Sequence, residues 1–549
     1  MRLNSSSPEP QRLENANIET GMRALTDELT KVAEDSARGG LFLVSGTAVA
    51  TFIMAIASVL IARFLGPELY GQYALALVVP QILFIFTDLG INQGIIKFIA
   101  DPKINGGTRE IAKIVKHGLM LRAFAGIALF LINYTFADVF ASVLLQRPDL
   151  AFYVRLGSTS ILLQVLFTTA TSAFVGIDKT EYSALTTNVQ ALAKTIISVT
   201  LVLLGFSVAG AIIGFIASYV IAAAVGLFFL FSILRKKQNT TAGHNFAENV
   251  RVLLRYGTPL YIAALLVGFI PLFQNVMLAF FTTDADIGNY KAAVNFATLL
   301  TVFSIPITTA LLAAFSKLNS NTRGEIKAFF KLANKYTSII IIPAAFLIII
   351  FSNEVVQTIY GTTYQSASVF LATYCLLYLL VGFGHLTLPS FYNGIGETKT
   401  TLKMSLLTFS ALAVFSPLLT KTYNVQGLIV AFLIASTIGT LYGSYVAMKK
   451  FQVKFEAPIL LKVYAISAVS SVLPILIINF AGLPRLIGGA MGGALYLLIY
   501  ATLLPVTRVV TASELQKAMS VIQNVRLLSL IAKPILKYQQ KILRKRPSR

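Results

Sequence analysis

Residues 62–91 read ARFLGPELYGQYALALVVPQILFIFTDLGI. The stretch joins the end of one apolar run to the start of the next through a short loop marked by Gly66, Pro67 and Gly71. It also recurs. Gly71-Gln-Tyr73-Ala-Leu-Ala76 returns 217 residues later as Gly288-Asn-Tyr290-Lys-Ala-Ala293. Phe174-Val-Gly176-Ile177-Asp-Lys-Thr180 is matched by Tyr392-Asn-Gly394-Ile395-Gly-Glu-Thr398 at 218, and Val208-Ala-Gly210 by Val425-Gln-Gly427 at 217. Each match is short, but three in one order at nearly one spacing mark an internal duplication.

The duplicated unit is apolar. Of 549 residues, 56% are hydrophobic and 12% charged, and the mean hydropathy is +0.75. Soluble domains carry about 25% charged residues, so a polytopic all-α membrane protein is expected. Fourteen apolar segments, from Gly40–Arg63 to Leu486–Val506, each approach the ~20 residues that span a bilayer core. Segments one to six pair with seven to twelve. Six is even, so both copies enter from the same side and form parallel repeats about an axis along the membrane normal. The last two segments form an extra helix pair.

The expected organisation is a tail with an amphipathic helix around Ile18–Val32 (1–39), a six-helix lobe (40–234) and a linker (235–256). A second six-helix lobe (257–451), the extra pair (452–507) and a basic amphipathic tail (508–549) follow. That last tail is expected to be an interfacial helix broken near Pro534.

Loop charge orients the chain. With the N-terminus inside, cytoplasmic regions hold 37 Lys and Arg, and the outer side six: Arg63, Arg147, Arg155, Lys291, Lys421 and Arg485. This bias sets both termini in the cytoplasm of a multi-pass cell-membrane protein. It also accounts for most of the +22 net charge without nucleic acid, and makes anionic membrane lipids the natural partner. The single Cys375 allows no intramolecular disulfide, and the three scattered histidines suggest no metal site. There is no GxxxxGK[ST] loop and no long soluble domain, so neither an enzyme nor a cofactor is expected.

Polar residues inside spans are costly and mark functional candidates. Thr187, Gln190, Lys194 and Ser198 share one helix face, with Lys194 about 18 Å from the cytoplasmic end. Lys194 is the leading substrate-binding candidate; a packed lysine bonded to carbonyls or a carboxylate is the competing reading. Gln81, Asp88 and Asn92 share a face, with Asp88 a candidate counter-ion for Lys194 or Arg122. Arg122 lies near enough to the inner end to snorkel. Lys291, Asn295 and Thr298 share another face, with snorkelling again the alternative for Lys291. Tyr374, Tyr378 and His385 lie on one side of segment ten, where their rings suit a sugar or an interhelical hydrogen bond. Cations outnumber acids, which favours an anionic phosphate or pyrophosphate. Pro80, Pro271, Pro306, Pro343, Pro389 and Pro417 interrupt spans and permit kinks.

The stretch resembles the polysaccharide transporter (oligosaccharide flippase) family of the multidrug/oligosaccharidyl-lipid/polysaccharide (MOP) flippase superfamily. The matching residues are Ala62-Arg63, Gly66-Pro67, Tyr70-Gly71 and Tyr73, then Asp88-Leu-Gly90-Ile, with Gly288, Tyr290, Asn393, Gly394, Gly396 and Lys399 in the second half. The resemblance covers about Gly40 to Phe451. It implies two six-helix lobes, often with an added pair, that move undecaprenyl- or dolichyl-linked oligosaccharides outward for surface polysaccharide or glycoprotein assembly. It implies a frequently cationic cavity, compatible with Lys194, Arg122 and Lys291, and polysaccharide or glycan assembly proteins as partners. The N-terminal tail is longer than the family's. An exporter of the same fold driven by Na⁺ or H⁺ should carry several acids at midplane. A scramblase or a scaffold for glycosyltransferases would need no cationic cavity.

Overall fold

The computed structural model describes residue 43 and residues 45–100, 108–235, 246–300, 307–308, 311–312, 314–315, 323–480, 484–522 and 526–544. The expected N-terminal amphipathic helix and Pro306 lie outside them. The described chain is helical, with no strand among the described residues. Helices suit these sequences because a backbone in lipid must satisfy its own hydrogen bonds. Among the described residues nine helical stretches are long and apolar enough to cross a membrane, or ten if one bent pair counts as a single span.

In chain order the main elements begin with α1 (Ser45–Phe86), α2 (Ile91–Ala100), α3 (Thr108–Thr135), α4 (Thr159–Gly176), α5 (Thr180–Leu201) and α6 (Ser207–Arg235). The second half has α7 (Phe246–Phe281), α8 (Asp284–Ala297), α9 (Arg323–Ile350), α10 (Ala367–Leu379), α11 (Thr387–Gly394) and α12 (Thr398–Phe451). Then come α13 (Ala457–Phe480), α14 (Arg485–Val506), α15 (Ala512–Ile522) and α16 (Arg526–Arg544).

Segment boundaries differ from expectation at two breaks, and a third break lies between Leu419 and Gln426, where the sequence reading put one. The loop expected at Gly66–Gly71 is a helical turn, in which Gly66 alone leaves the helical region with φ 75°. The second segment breaks at Thr87–Gly90, where Leu89 and Gly90 have φ 47° and 84°, and resumes as α2. α12 runs through Tyr423 and Asn424, which have non-helical backbones, and so folds back on itself. A Cβ at Gly427 would overlap Leu419, one at Gly439 Thr408, and one at Gly443 Met404, which is antiparallel hairpin register. α5 and α6 form the same hairpin, with Gly210 on Leu201, Gly214 on Ser198 and Gly226 on Thr186.

The duplication is visible in the backbone. Ser207 turns the first hairpin at φ 49°, ψ −133°, and Asn424, 217 residues later, turns the second at φ 51°, ψ −137°. Gly176 packs on Ile95, Ile96 and Ile99, while Gly394 packs on Leu312 and Phe315, the equivalent helix of the other copy. A Cβ at Gly71 would overlap the Asp284 carbonyl, and one at Gly288 would overlap the Pro67 carbonyl. Pro67 and Asp284 are themselves 217 apart, so the two contacts interchange by exchanging the copies. That is the signature of a two-fold relation between them.

The buried cores are unequal at the two ends. At the end carrying Arg147, one apolar cluster runs through both lobes, from Ile61, Leu75 and Val154 to Leu278, Ala293, Tyr360 and Leu428. At the end carrying Gly90, the apolar residues fall into two clusters. One gathers Ile91, Ile95, Phe174 and Leu230 with Leu253 of α7, and the other Phe315, Phe330, Phe391 and Tyr392.

α13 and α14 pack outside the repeat against α9, through Ile342, Val463, Ile466, Tyr500 and Leu504. α15 and α16 join this cluster. Contrary to the expected break, α16 continues through Pro534. Proline removes one backbone donor and strains the preceding turn. Here α16 is held by docking onto α14, where Gln539 donates to the Ala501 carbonyl at 3.1 Å and the Tyr538 and Thr502 hydroxyls lie 3.0 Å apart.

Candidate functional site

At the Arg147 end the lobes meet backbone to backbone, because Gly71 and Gly288 carry no side chain. The contact is reinforced by polar bonds. Arg147 of the first lobe donates to the Asp284 carboxylate at 2.7 Å and to the Thr282 carbonyl at 2.7 Å. Gln72 donates to the other oxygen of Asp284 at 3.2 Å. Tyr364 donates to the Ala62 carbonyl at 2.5 Å, and Arg63 reaches the Thr358 and Ile359 carbonyls at 3.4 and 3.3 Å. One carboxylate, Asp284, thus ties two first-lobe side chains to the second lobe. Charge-assisted bonds of this kind contribute about 1.5–3 kcal/mol each when sheltered, less where water reaches them.

The face of α8 that makes this seam continues inward. Gly288 touches Pro67, and Asn295 donates to the Tyr70 hydroxyl at 2.7 Å. Lys291 lies three residues after the first and four before the second, which places it on the same helix face, against the first lobe. Its side chain is partly accessible, and no hydrogen bond or ion pair is found for it among the described residues. Lys291 therefore belongs to the seam between the lobes rather than to the bilayer surface that snorkelling would require.

At the Gly90 end the lobes touch through the break after α1. A Cβ at Gly90 would overlap Gly257 of α7, and the reverse holds equally. Tyr261 donates to the Ile85 carbonyl at 3.2 Å, and Asn249 lies 3.1 Å from His117 Nδ1.

Arg122 does not snorkel. It is fully buried in the first lobe. Its guanidinium donates to Asn92 at 2.8 Å, Thr168 at 3.0 Å and Thr169 at 2.7 Å, and its Nε lies 3.6 Å from Asp88. Of the two cations that Asp88 could accompany, the structure puts it beside Arg122. Arg122 thereby fixes the backbone break at Thr87–Gly90 to α3 and α4.

Lys194 sits inside the first lobe. The neighbouring Thr195 donates to the Ile53 carbonyl of α1 at 3.5 Å, and the Lys194 ammonium lies 5.3 Å from the centre of the Phe215 ring of α6. Lys194 is partly accessible and has no ion pair among the described residues. Gln190 is buried and donates to Ser218 at 3.1 Å. Tyr378 donates to the Ala297 carbonyl at 3.1 Å, and His385 Nδ1 lies 2.9 Å from the Thr440 hydroxyl. These three make interhelical bonds inside single lobes. The structure thus separates two accessible, unpaired lysines from residues engaged in packing.

Sequence reasoning missed Asp284, Gln72 and Tyr364 as seam residues and counted Arg147 only as loop charge. One signal was available: Asp284 is the repeat equivalent of Pro67 in the stretch that revealed the duplication. Among the described residues no three His, Cys, Asp or Glu side chains gather as metal ligands would.

A family model described as polysaccharide biosynthesis protein matches residues 36–319. No curated protein matches the chain in sequence. Solved structures share its fold at low identity. One is a lipid II flippase MurJ in an inward closed conformation, with TM-score 0.69 and 18% identity over 84% of this chain and 99% of that one. Another is an inward-facing multidrug resistance MATE family transporter of the MOP superfamily, with TM-score 0.59 and 16% identity over 73% and 94%. A third is a MOP superfamily transporter from Pyrococcus furiosus, described as having a binding pocket of reverse polarity, with TM-score 0.54 and 18% identity over 76% and 95%.

Proposed function

From the premise that the chain belongs to the polysaccharide biosynthesis protein family and has the fold of MOP superfamily transporters, we propose that it is a flippase for a lipid-linked oligosaccharide. It carries a polyprenyl phosphate- or pyrophosphate-linked glycan from the cytoplasmic to the outer face by alternating access. The observation that carries this reading is Lys291, an ammonium on the seam between the lobes with no counter-ion among the described residues. An unpaired lysine in a span is costly, and a phosphate-bearing substrate passing between the lobes would complete it.

The loop-charge bias assigns the Arg147 end to the outside. The continuous core at that end fits a transporter closed on its outer side, with the Gly90 end also in contact through Gly90 and Gly257. Kinks and breaks at the Gly90 end would give the lobes freedom to separate there. Lys194, on α5, is the second cation in this scheme and acts from within the first lobe. The MATE-like fold by itself also admits a cation-coupled drug exporter. Such an exporter would carry several acids at midplane, whereas the acid of this seam, Asp284, is paired with Arg147.

The test is flipping of a polyprenyl-pyrophosphate oligosaccharide in liposomes, with protein level checked in the membrane. A charge-assisted contact is worth about 1.5–3 kcal/mol, so Lys291→Ala and Lys194→Ala should each lower the rate about tenfold or more. The arginine variants should retain part of it, since charge survives while shape changes. Wild-type flipping by both well-expressed alanine variants would remove the anionic-substrate reading.

A further inference from the structure

A cavity with charged walls lies away from the seam, where the second lobe meets the extra helix pair. It has a volume of about 1120 Å³ and is lined by the start of α9, the end of α12 and the five-residue connection to α13. α12 stops at Phe451, Gln452 takes a left-handed backbone at φ 52°, and the chain crosses to Ala457. That turn places three lysines around one hollow.

Their charges are not balanced. Lys331 pairs with Glu456 at 2.5 Å. Among the described residues Lys327 is held by the neutral side-chain oxygen of Gln452, at 2.9 Å, and by no carboxylate. Lys454 has no ion pair or hydrogen bond among the described residues. Three ammoniums therefore face one carboxylate. The remaining wall is apolar, with Met448, Val453 and Phe455 contributing to it.

Its level along the neighbouring candidate spans follows from where they begin and end. The three neighbouring spans run Gly324–Ile350, Thr398–Phe451 and Ala457–Ile478. All three have their boundary at this cavity, so it opens at the level where apolar helix gives way to water. A water-facing anion site would have no use for the apolar wall. A site for an acyl chain alone would have no use for the ammoniums.

We propose that this cavity binds the phosphate of an anionic phospholipid headgroup from the surrounding leaflet. Lys327 and Lys454 hold the phosphate, and the first carbons of the acyl region rest on Met448 and Phe455. Lys331, already neutralised by Glu456, positions the connection rather than the lipid. The site is independent of what passes between the lobes, so it stands or falls separately from the flippase reading. It would tie α13 and α14 to the second lobe through a bilayer component.

The experiment is native mass spectrometry of the purified full-length protein equilibrated with phosphatidylglycerol and phosphatidylcholine, with and without excess inorganic phosphate. The wild-type protein should retain phosphatidylglycerol preferentially. Charge near a membrane surface contributes enough per lysine for about a fivefold change in binding. Lys327→Gln and Lys454→Gln should each lower retention about that much, while the Lys327→Arg and Lys454→Arg pair should keep it. Inorganic phosphate should not displace the lipid. Unchanged retention in the Gln pair, equal loss in the Arg pair, or displacement by inorganic phosphate would each overturn the assignment. Both lysines border solvent, so an unchanged lipid-free melting temperature in the Gln pair shows that the variant is folded.

Discussion

At the scale of single residues, the polar groups of the spans divide by their partners rather than by their depth. Arg122 is the clearest case of a cation that holds structure together, with Asn92, Thr168, Thr169 and Asp88 gathered around it. Removing one partner of a buried charged cluster costs about 3–5 kcal/mol; Asp88 is partly exposed, so the lower part of that range applies. Arg122→Leu should therefore lower the melting temperature in detergent and reduce protein in the membrane. Arg122→Lys should fall between, because an ammonium keeps the charge beside Asp88 but not the reach that brings Nη1 to Asn92, Thr168 and Thr169. A normal melting temperature for Arg122→Leu would show the cluster to be dispensable. Helical phase in the sequence grouped Gln190 with Lys194 and placed Tyr378 near His385. Phase gives the face of a helix but not its neighbour. Gln190 finds Ser218 on the next helix, and Tyr378 finds a carbonyl 81 residues away. No periodicity could have separated these packed groups from Lys291 and Lys194.

At the scale of elements, glycine made the architecture readable. Gly71, Gly210 and Gly394 sit where two backbones touch, so the repeat keeps them and the sequence shows them at one offset. The hairpin turns at Ser207 and Asn424 share a backbone but no residue type, and they were invisible until the structure was available. α15 is a different kind of element, docked by Leu515 and by a part-buried ion pair. Thr511 accepts from the Glu514 backbone N–H at 3.4 Å, while the Glu514 carboxylate accepts from the Thr511 N–H at 2.9 Å and from Lys335 at 2.8 Å. This is a capping box joined to a lysine of α9. Burial pushes the Glu514 carboxyl up, but the hydrogen bonds from Lys335 and Thr511 and the charge of Lys335 outweigh it. The carboxyl ends below the usual range. Its contribution to stability is therefore complete above the ordinary carboxylate pKa and is lost only as the pH falls below that range. Glu514→Gln should lower the melting temperature at neutral pH, and the difference from wild type should shrink on acidification below about pH 4. A difference that grows with acid would reverse the sign and refute the linkage.

At the scale of the whole molecule, two copies of one unit meet at their own repeated residues and share a single core at the Arg147 end, while at the Gly90 end the core divides into two clusters and the lobes touch at Gly90, Gly257 and Tyr261. Under the flippase proposal the two lobes rock against each other, and the Arg147 seam is the contact that opens during transport. The seam can be locked. In a background with Cys375→Ala, Gln72→Cys and Asp284→Cys replace side chains that touch across it. Flipping in liposomes is then measured before oxidation, after it and after reduction. The account predicts that the reduced protein flips, the cross-linked protein does not, and reduction restores the activity. Flipping at an undiminished rate with the cross-link formed would contradict it, because the lobes would then carry substrate without separating at this end.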